Sequence, residues 1–150
     1  MQFKRIDGDQ QGAGATYVVV LSEGDEAFAT LSTFVKEHDL TAAQITAVGA
    51  FERAVVGWYD RSTKEYRKNP VDEQCEVLSL VGDAAGSDKG PQLHLHAVLG
   101  LADGTTRGGH LLEGHVWPTL EVIIRESPAS LRKTMRPDVG LALIDLEKTA

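Results

Sequence analysis

The sequence contains one cysteine, Cys75, so no intrachain disulfide can form. That excludes the disulfide-stapled class of small secreted domains and suits a reducing compartment. Within the run Cys75-Glu76-Val77-Leu78-Ser79-Leu80 the thiol is expected to be buried and inert. No apolar stretch approaches the ~20 residues that cross a bilayer, and Met1-Gln2-Phe3-Lys4-Arg5-Ile6-Asp7 lacks the hydrophobic region of a signal peptide. A cytoplasmic location without membrane contact is the expectation. Concentrated positive charge is also missing. Fifteen Lys and Arg stand against twenty-two Asp and Glu, giving a net charge of −7, and they are scattered rather than gathered into an arm or stripe. Phosphate backbones are held by dense positive charge, so direct nucleic-acid binding is not expected. No phosphate-binding glycine loop, P-loop, nucleophile elbow or Cys-x-x-Cys occurs.

What remains is one ordinary domain of 150 residues, 42% hydrophobic and 25% charged. A chain of this size buries roughly 70% of its unfolded surface, so neither a disulfide nor a structural metal is needed for folding. The patterning predicts an α+β fold: about seven strands, mainly antiparallel, and one main flanking helix.

Thr16 to Leu21 is β-branched and apolar, and Ser22-Glu23-Gly24-Asp25 then offers helix N-caps. From Glu26 to His38, Phe28, Leu31, Phe34 and Val35 recur at helical spacing. Gln44 to Phe51 and Ala54 to Tyr59 are extended segments, with Glu52-Arg53 between them as a tight turn. Asp60 to Pro70 is charged and turn-rich, and Glu76 to Val81 is another strand. Gly82 to Pro91 reads as a surface loop. Leu93 to Leu101, Arg107 to Val116, Leu120 to Arg125 and Leu141 to Leu146 are strand-like, with a short helical or irregular piece around Pro128 to Lys133. No repeat or linker divides the chain, so residues 1–150 form a single domain.

The chemistry concentrates in one hairpin. Between Gln92–Leu101 and Thr105–Leu112, the loop Ala102-Asp103-Gly104 fits a type I turn followed by a left-handed glycine. If Leu101 faces Thr105, paired positions sum to 206, so His96 lies opposite His110 and His94 opposite Leu112. His94, His96 and His110 then share one face. A two-residue Asp103-Gly104 turn makes the sum 207 and sends His110 to the other face, unless a bulge at Gly108-Gly109 restores it. Three neutral imidazoles with an open fourth position suit Zn²⁺ or Fe²⁺ and leave room for water or a small molecule.

Other polar residues are weaker candidates. Glu113 and Glu121 could orient an imidazole or act as a base. Solvent exposure suits Glu113, whereas Glu121, in Leu120-Glu121-Val122-Ile123-Ile124, is expected to have a partner or line a cavity. His115 falls on the opposite face of an unbroken strand, although Gly114 could bulge. His38 ends a helix, where its charge suits the dipole. Trp58, Tyr59 and Trp117 could line a pocket, but core packing is the commoner use of strand aromatics.

Four stretches, in this order, carry a family resemblance: Ile45-Thr46-Ala47-Val48-Gly49-Ala50; Cys75 to Gly82; Leu93-His94-Leu95-His96-Ala97-Val98-Leu99; and Gly108-Gly109-His110-Leu111-Leu112-Glu113-Gly114 continuing to Thr119-Leu120-Glu121-Val122. Together they resemble the plant-and-prokaryote conserved domain (PPC or PCC) in its stand-alone bacterial form, over a core of about residues 17–146. The resemblance implies an antiparallel sheet with a flanking helix, assembled as a homotrimer. In plants the domain follows AT-hook segments that touch DNA. This chain has no Arg-Gly-Arg-Pro hook, and the arginine of the plant Gly-Arg-Phe-Glu-Ile-Leu stretch is missing around Gln74-Cys75-Glu76-Val77-Leu78. Its histidines match the bacterial pattern, so the metal set His94, His96 and His110 is compatible with the family, with Glu121, Glu113, His115 and Trp117 as surrounding candidates. Two functions follow as expectations. One is a trimeric metal- or small-ligand-binding protein, which could support a hydrolytic or lyase-type step. The other is a non-enzymatic assembly or regulatory module whose DNA contact comes through a partner.

Overall fold

A computed structural model describes residues 1–6 and 14–150. Its elements are β1 (Gln2–Arg5), β2 (Thr16–Ser22), α1 (Ala27–Glu37), β3 (Ala42–Asp60), β4 (Glu65–Val71), β5 (Cys75–Ser87), β6 (Gly90–Gly100), β7 (Thr106–Glu126), β8 (Lys133–Arg136) and β9 (Leu141–Ile144). The first seven strands form one antiparallel sheet in the order β1-β2-β7-β6-β5-β3-β4, and an additional β7–β3 pairing closes it on itself. The fold is thus the expected mostly antiparallel sheet with one helix.

Alternation along the strands separates an inner from an outer face. In β6, Leu95, Ala97 and Leu99 are buried, while His94, His96 and Val98 lie on the other side and are at least partly exposed. The inner residues join Phe51, Ile45, Leu80, Leu111, Leu120 and Ile124 in one core. Helix α1 seals it with Ala27, Leu31, Phe34 and Val35, and Phe28 packs at the margin. Its N-cap is Glu26, not Ser22 or Asp25. The Glu26 carboxylate accepts from Phe28 N at 3.1 Å, Ala29 N at 2.7 Å and Gly114 N at 2.9 Å, which ties the helix start to β7. Asp25 instead accepts from Ser22 N and pairs with the N-terminal ammonium. His38 closes the other end, its ring at hydrogen-bond distance from Phe34 O and stacked on the Phe34 ring.

Three expected breaks are absent. Glu52-Arg53 is not a turn: β3 runs through it, changing partners from β5 to β4 on one side while irregularities between Gly49 and Val56 bend it along β7. Likewise β7 continues through Trp117-Pro118, so two expected strands are one. Gly82–Pro91 is not a loop, because β5 and β6 run on to a two-residue turn at Asp88-Lys89. The charged stretch after Asp60 contains β4, paired with β3, and Lys133 begins β8. Cys75 is buried as expected, and burial pushes its thiol pKa up.

Candidate metal centre

The β6–β7 turn has the three-residue form. Leu101 N donates to Thr105 O at 2.9 Å, Gly104 N donates to Leu101 O at 2.9 Å, and Gly104 has φ +81°. The Asp103 carboxylate accepts from Thr105 N and Thr105 Oγ1, which locks the turn. Gly100 therefore faces Thr106, and His96 faces His110. The ladder ends at that pair, so His94 does not acquire Leu112 as a partner, while the opposite edge of β7 pairs with β3 from His110 onward. The His94 ring still meets the others. Ring centroids lie 5.0 Å apart for His94–His96, 5.3 Å for His94–His110 and 5.4 Å for His96–His110.

One nitrogen from each ring lies within 4.8 Å of the other two, and His94 Nε2 is 3.1 Å from His96 Nε2. A tetrahedral ion with metal–nitrogen bonds of about 2.0–2.1 Å holds its ligands roughly 3.4 Å apart, so small side-chain rotations bring the set to bonding geometry. Burial, with the neighbouring histidines and Lys133 adding to it, depresses the His110 pKa to about 4. Burial and His94 likewise lower that of His96. Both imidazoles are held neutral near pH 7, the form that binds a metal. His110 Nδ1 is buried without a hydrogen-bond partner among the described residues.

Around the histidines stand residues that the sequence does not single out. Asp83 lies directly across from His94, and its Oδ2 is 3.5 Å from His94 Nδ1. Its Oδ1 is 2.6 Å from the ammonium of Lys133, which is only 8% exposed. Burial acts to raise the Asp83 pKa, but the hydrogen bond to His94 and the Lys133 ammonium outweigh it and hold the carboxyl below the usual range. A carboxylate on Nδ1 fixes the His94 tautomer and leaves the Nε2 lone pair to be donated to an ion. On the far side Tyr66, on β4, stacks against His110 with centroids 4.6 Å apart. Gly57 makes that possible: a Cβ there would stand 2.8 Å from Tyr66 Cδ1. The signal for Asp83 was the strand alternation that continues through Gly82 to pair position 83 with 94. No local signal identifies Lys133.

The other candidates stand apart. Glu121 is exposed on the outer face, because alternation with buried Leu120 and Val122 turns it outward, so it needs no partner. Glu113 is exposed, as expected. His115 sits across from Arg53 and bridges Glu26, near the helix start. Trp58 and Trp117 are not core residues: they are 57% and 41% exposed, Trp58 lying under the Arg67 guanidinium and Trp117 lining a separate hollow with Glu23, Glu52 and Gln74.

Residues 8–128 match the Plants and Prokaryotes Conserved (PCC) domain. This chain belongs to the PCC family. Among solved structures, the PCC protein is similar to one from Bacteroides thetaiotaomicron proposed to bind DNA, at 26% identity and TM-score 0.88, covering 98% of each chain. It is also similar to a metal-containing protein from Archaeoglobus fulgidus, at 30% identity and TM-score 0.79, covering 97% of this chain and 99% of that one. A Bifunctional protein GlmU of Synechococcus sp. (strain JA-3-3Ab) is 29% identical over 143 residues. The match spans 93% of this PCC chain but only 22% of that protein.

Proposed function

We propose that this PCC protein binds a divalent transition metal, Zn²⁺ or Fe²⁺, through His94, His96 and His110, and takes up a small-molecule ligand at the open coordination position. The observation that carries the reading is the buried, partnerless His110 Nδ1 within a cluster of three close imidazoles. A buried nitrogen left unsatisfied costs about 1–3 kcal/mol, and coordination of an ion through that nitrogen would remove the cost. The metal-containing Archaeoglobus relative, similar along nearly the whole chain, supports the same reading. Asp83 and Lys133 orient His94, Tyr66 covers His110, and none of these supplies a ligand atom in the cluster. When bound, such an ion supplies a Lewis acid and lowers the pKa of a coordinated water.

The working unit in this proposal is a homotrimer. Val48, Leu78, Val81 and Val98, each more than 40% exposed, lie on the outer face of β3, β5 and β6, and Val81 pairs directly with His96. An exposed apolar strip of this kind is the usual mark of a contact surface. DNA association, if it occurs in the cell, then comes through a partner, since three chains of net charge −7 carry −21.

Native mass spectrometry of protein purified without an affinity tag tests both statements. The expected mass is that of three chains with about one ion per chain, falling below about 0.1 per chain in His96→Ala. Wild-type protein with less than about 0.1 ion per chain after exposure to zinc and iron would overturn the metal reading. A monomer mass would overturn the trimer.

A further inference from the structure

Two rows of side chains cross the outer face of the closed sheet. In the first, Ile123 lies beside Thr46, Thr46 beside Val81, Val81 beside His96 and His96 beside His110. In the second, Arg125 lies beside Gln44, Gln44 beside Asp83 and Asp83 beside His94. A cleft of about 950 Å³ runs along the second row from Arg125 to Asp83, with Gln44, Ile123, Pro128 and Leu131 also among its lining.

The charges along this cleft are unequal. Asp83 is neutralised by Lys133 at 2.6 Å. Glu126 directs a carboxylate oxygen to Ala15 N at 3.1 Å. Arg125 is exposed and has no ion pair or hydrogen bond with another described side chain. Among the described residues that line the cleft, its guanidinium is therefore the positive charge without an ion pair. An arginine presents parallel N–H donors that match a carboxylate, and that geometry is more selective than a lysine point charge.

The geometry points to a binding cleft for a small dicarboxylate or a related oxo- or hydroxy-diacid. One carboxylate rests on Arg125, the Gln44 amide faces the middle of the chain, Ile123 and Leu131 cover its methylenes, and the other end reaches the ion held by the histidines. This inference rests on the metal reading above. Adjacent strands are about 4.8 Å apart, so three strand steps put Arg125 and His94 roughly 14 Å apart at the backbone. The two side chains and the ion occupy roughly half of that span, which leaves a length suited to roughly four to six carbons. A monocarboxylate of similar size reaches one end only.

The test uses the full chain loaded with Co²⁺, whose visible spectrum reports on the ion's ligands. Succinate, glutarate, adipate and butyrate are titrated calorimetrically and by absorbance. At least one dicarboxylate is expected to bind about tenfold or more tightly than butyrate, the margin given by an additional charge-assisted hydrogen-bonded pair. Arg125→Gln is expected to erase that margin while leaving cobalt content and the ligand-free spectrum unchanged, and Arg125→Lys to restore only part of it. Equal affinities for butyrate and every dicarboxylate overturn the inference while the metal reading stands. A margin that survives in Arg125→Gln has the same consequence. Failure of the wild-type chain to take up cobalt overturns both.

Discussion

Two hairpins share β6 and contribute unlike halves of the centre. The β6–β7 hairpin presents neutral nitrogen: His96 and His110 face each other across a locked turn. The β5–β6 hairpin presents charge, Asp83 opposite His94, and draws Lys133 in from the C-terminal strand pair. In the proposed centre, one hairpin positions two ligand nitrogens, and the other fixes the direction of the third, on His94, without supplying a ligand atom. A mutation in each should fail in a different way.

The largest effect is expected from His110→Ala, which removes a ligand. Affinity for zinc in a chelator competition should fall by more than the roughly 100-fold upper range seen for outer partners. Asp83→Asn should cost about 10–100-fold in the same assay while saturation still reaches the wild-type stoichiometry. If the two variants lose affinity equally, the division between the hairpins is wrong. Lys133→Met separates charge from packing: it leaves the partly buried Asp83 carboxylate without its cation, and urea unfolding should show a loss of about 2 kcal/mol.

A smaller effect is expected from pH on the metal-free protein. The folded His110 pKa of about 4 lies below its ordinary value of about 6.5, so between these limits the unfolded chain binds more protons. The contribution of His110 is complete above about pH 6.5 and is lost as pH falls toward 4, a change of about 2 kcal/mol after allowing for partial solvent access. Denaturant midpoints from pH 7 to 4.5 should fall in wild type and fall less in His110→Gln. The smallest effect is expected from Tyr66→Phe, which keeps the ring on His110. Zinc affinity should stay within about twofold, whereas Tyr66→Ala, which uncovers the imidazole, should move it further.

The legibility of these two hairpins differed for physical reasons. Asp103-Gly104 names its own turn, and the turn sets the register, so the pairing of His96 with His110 follows from neighbours in the chain. Asp83 stands among Gly82, Gly86, Asp88 and Gly90, residues that ordinarily mark a loop. Here Gly82 lets the paired β6 backbone come close, since a Cβ would collide with the His94 carbonyl oxygen. Lys133 reaches the site only through tertiary packing. Glu52-Arg53 resembled a turn because both residues are charged, yet they lie on a bent strand whose pairing continues past them through Ala54. Glu121 is the opposite case: its apolar neighbours suggest burial, while strand alternation places it outside.

The closure of the sheet carries a further consequence. Following the first row of side chains from Ile123 through Thr46, Val81 and His96 returns to β7 at His110, thirteen positions earlier (123 − 110). The circuit is a screw rather than a ring, and its pitch is written into the length of a single strand. The odd count leaves both ends outside only because β7 leaves Leu112 unpaired between Leu111 and Glu113, so one residue added between His110 and Ile123 needs a further irregularity of that kind or turns the imidazole or the cleft wall toward the core. Two added residues keep the phase but slide the cleft by a full pleat along the histidines. The spacing of the centre and its neighbouring cleft is thus counted in backbone units, and sequence drift can alter it only by whole steps.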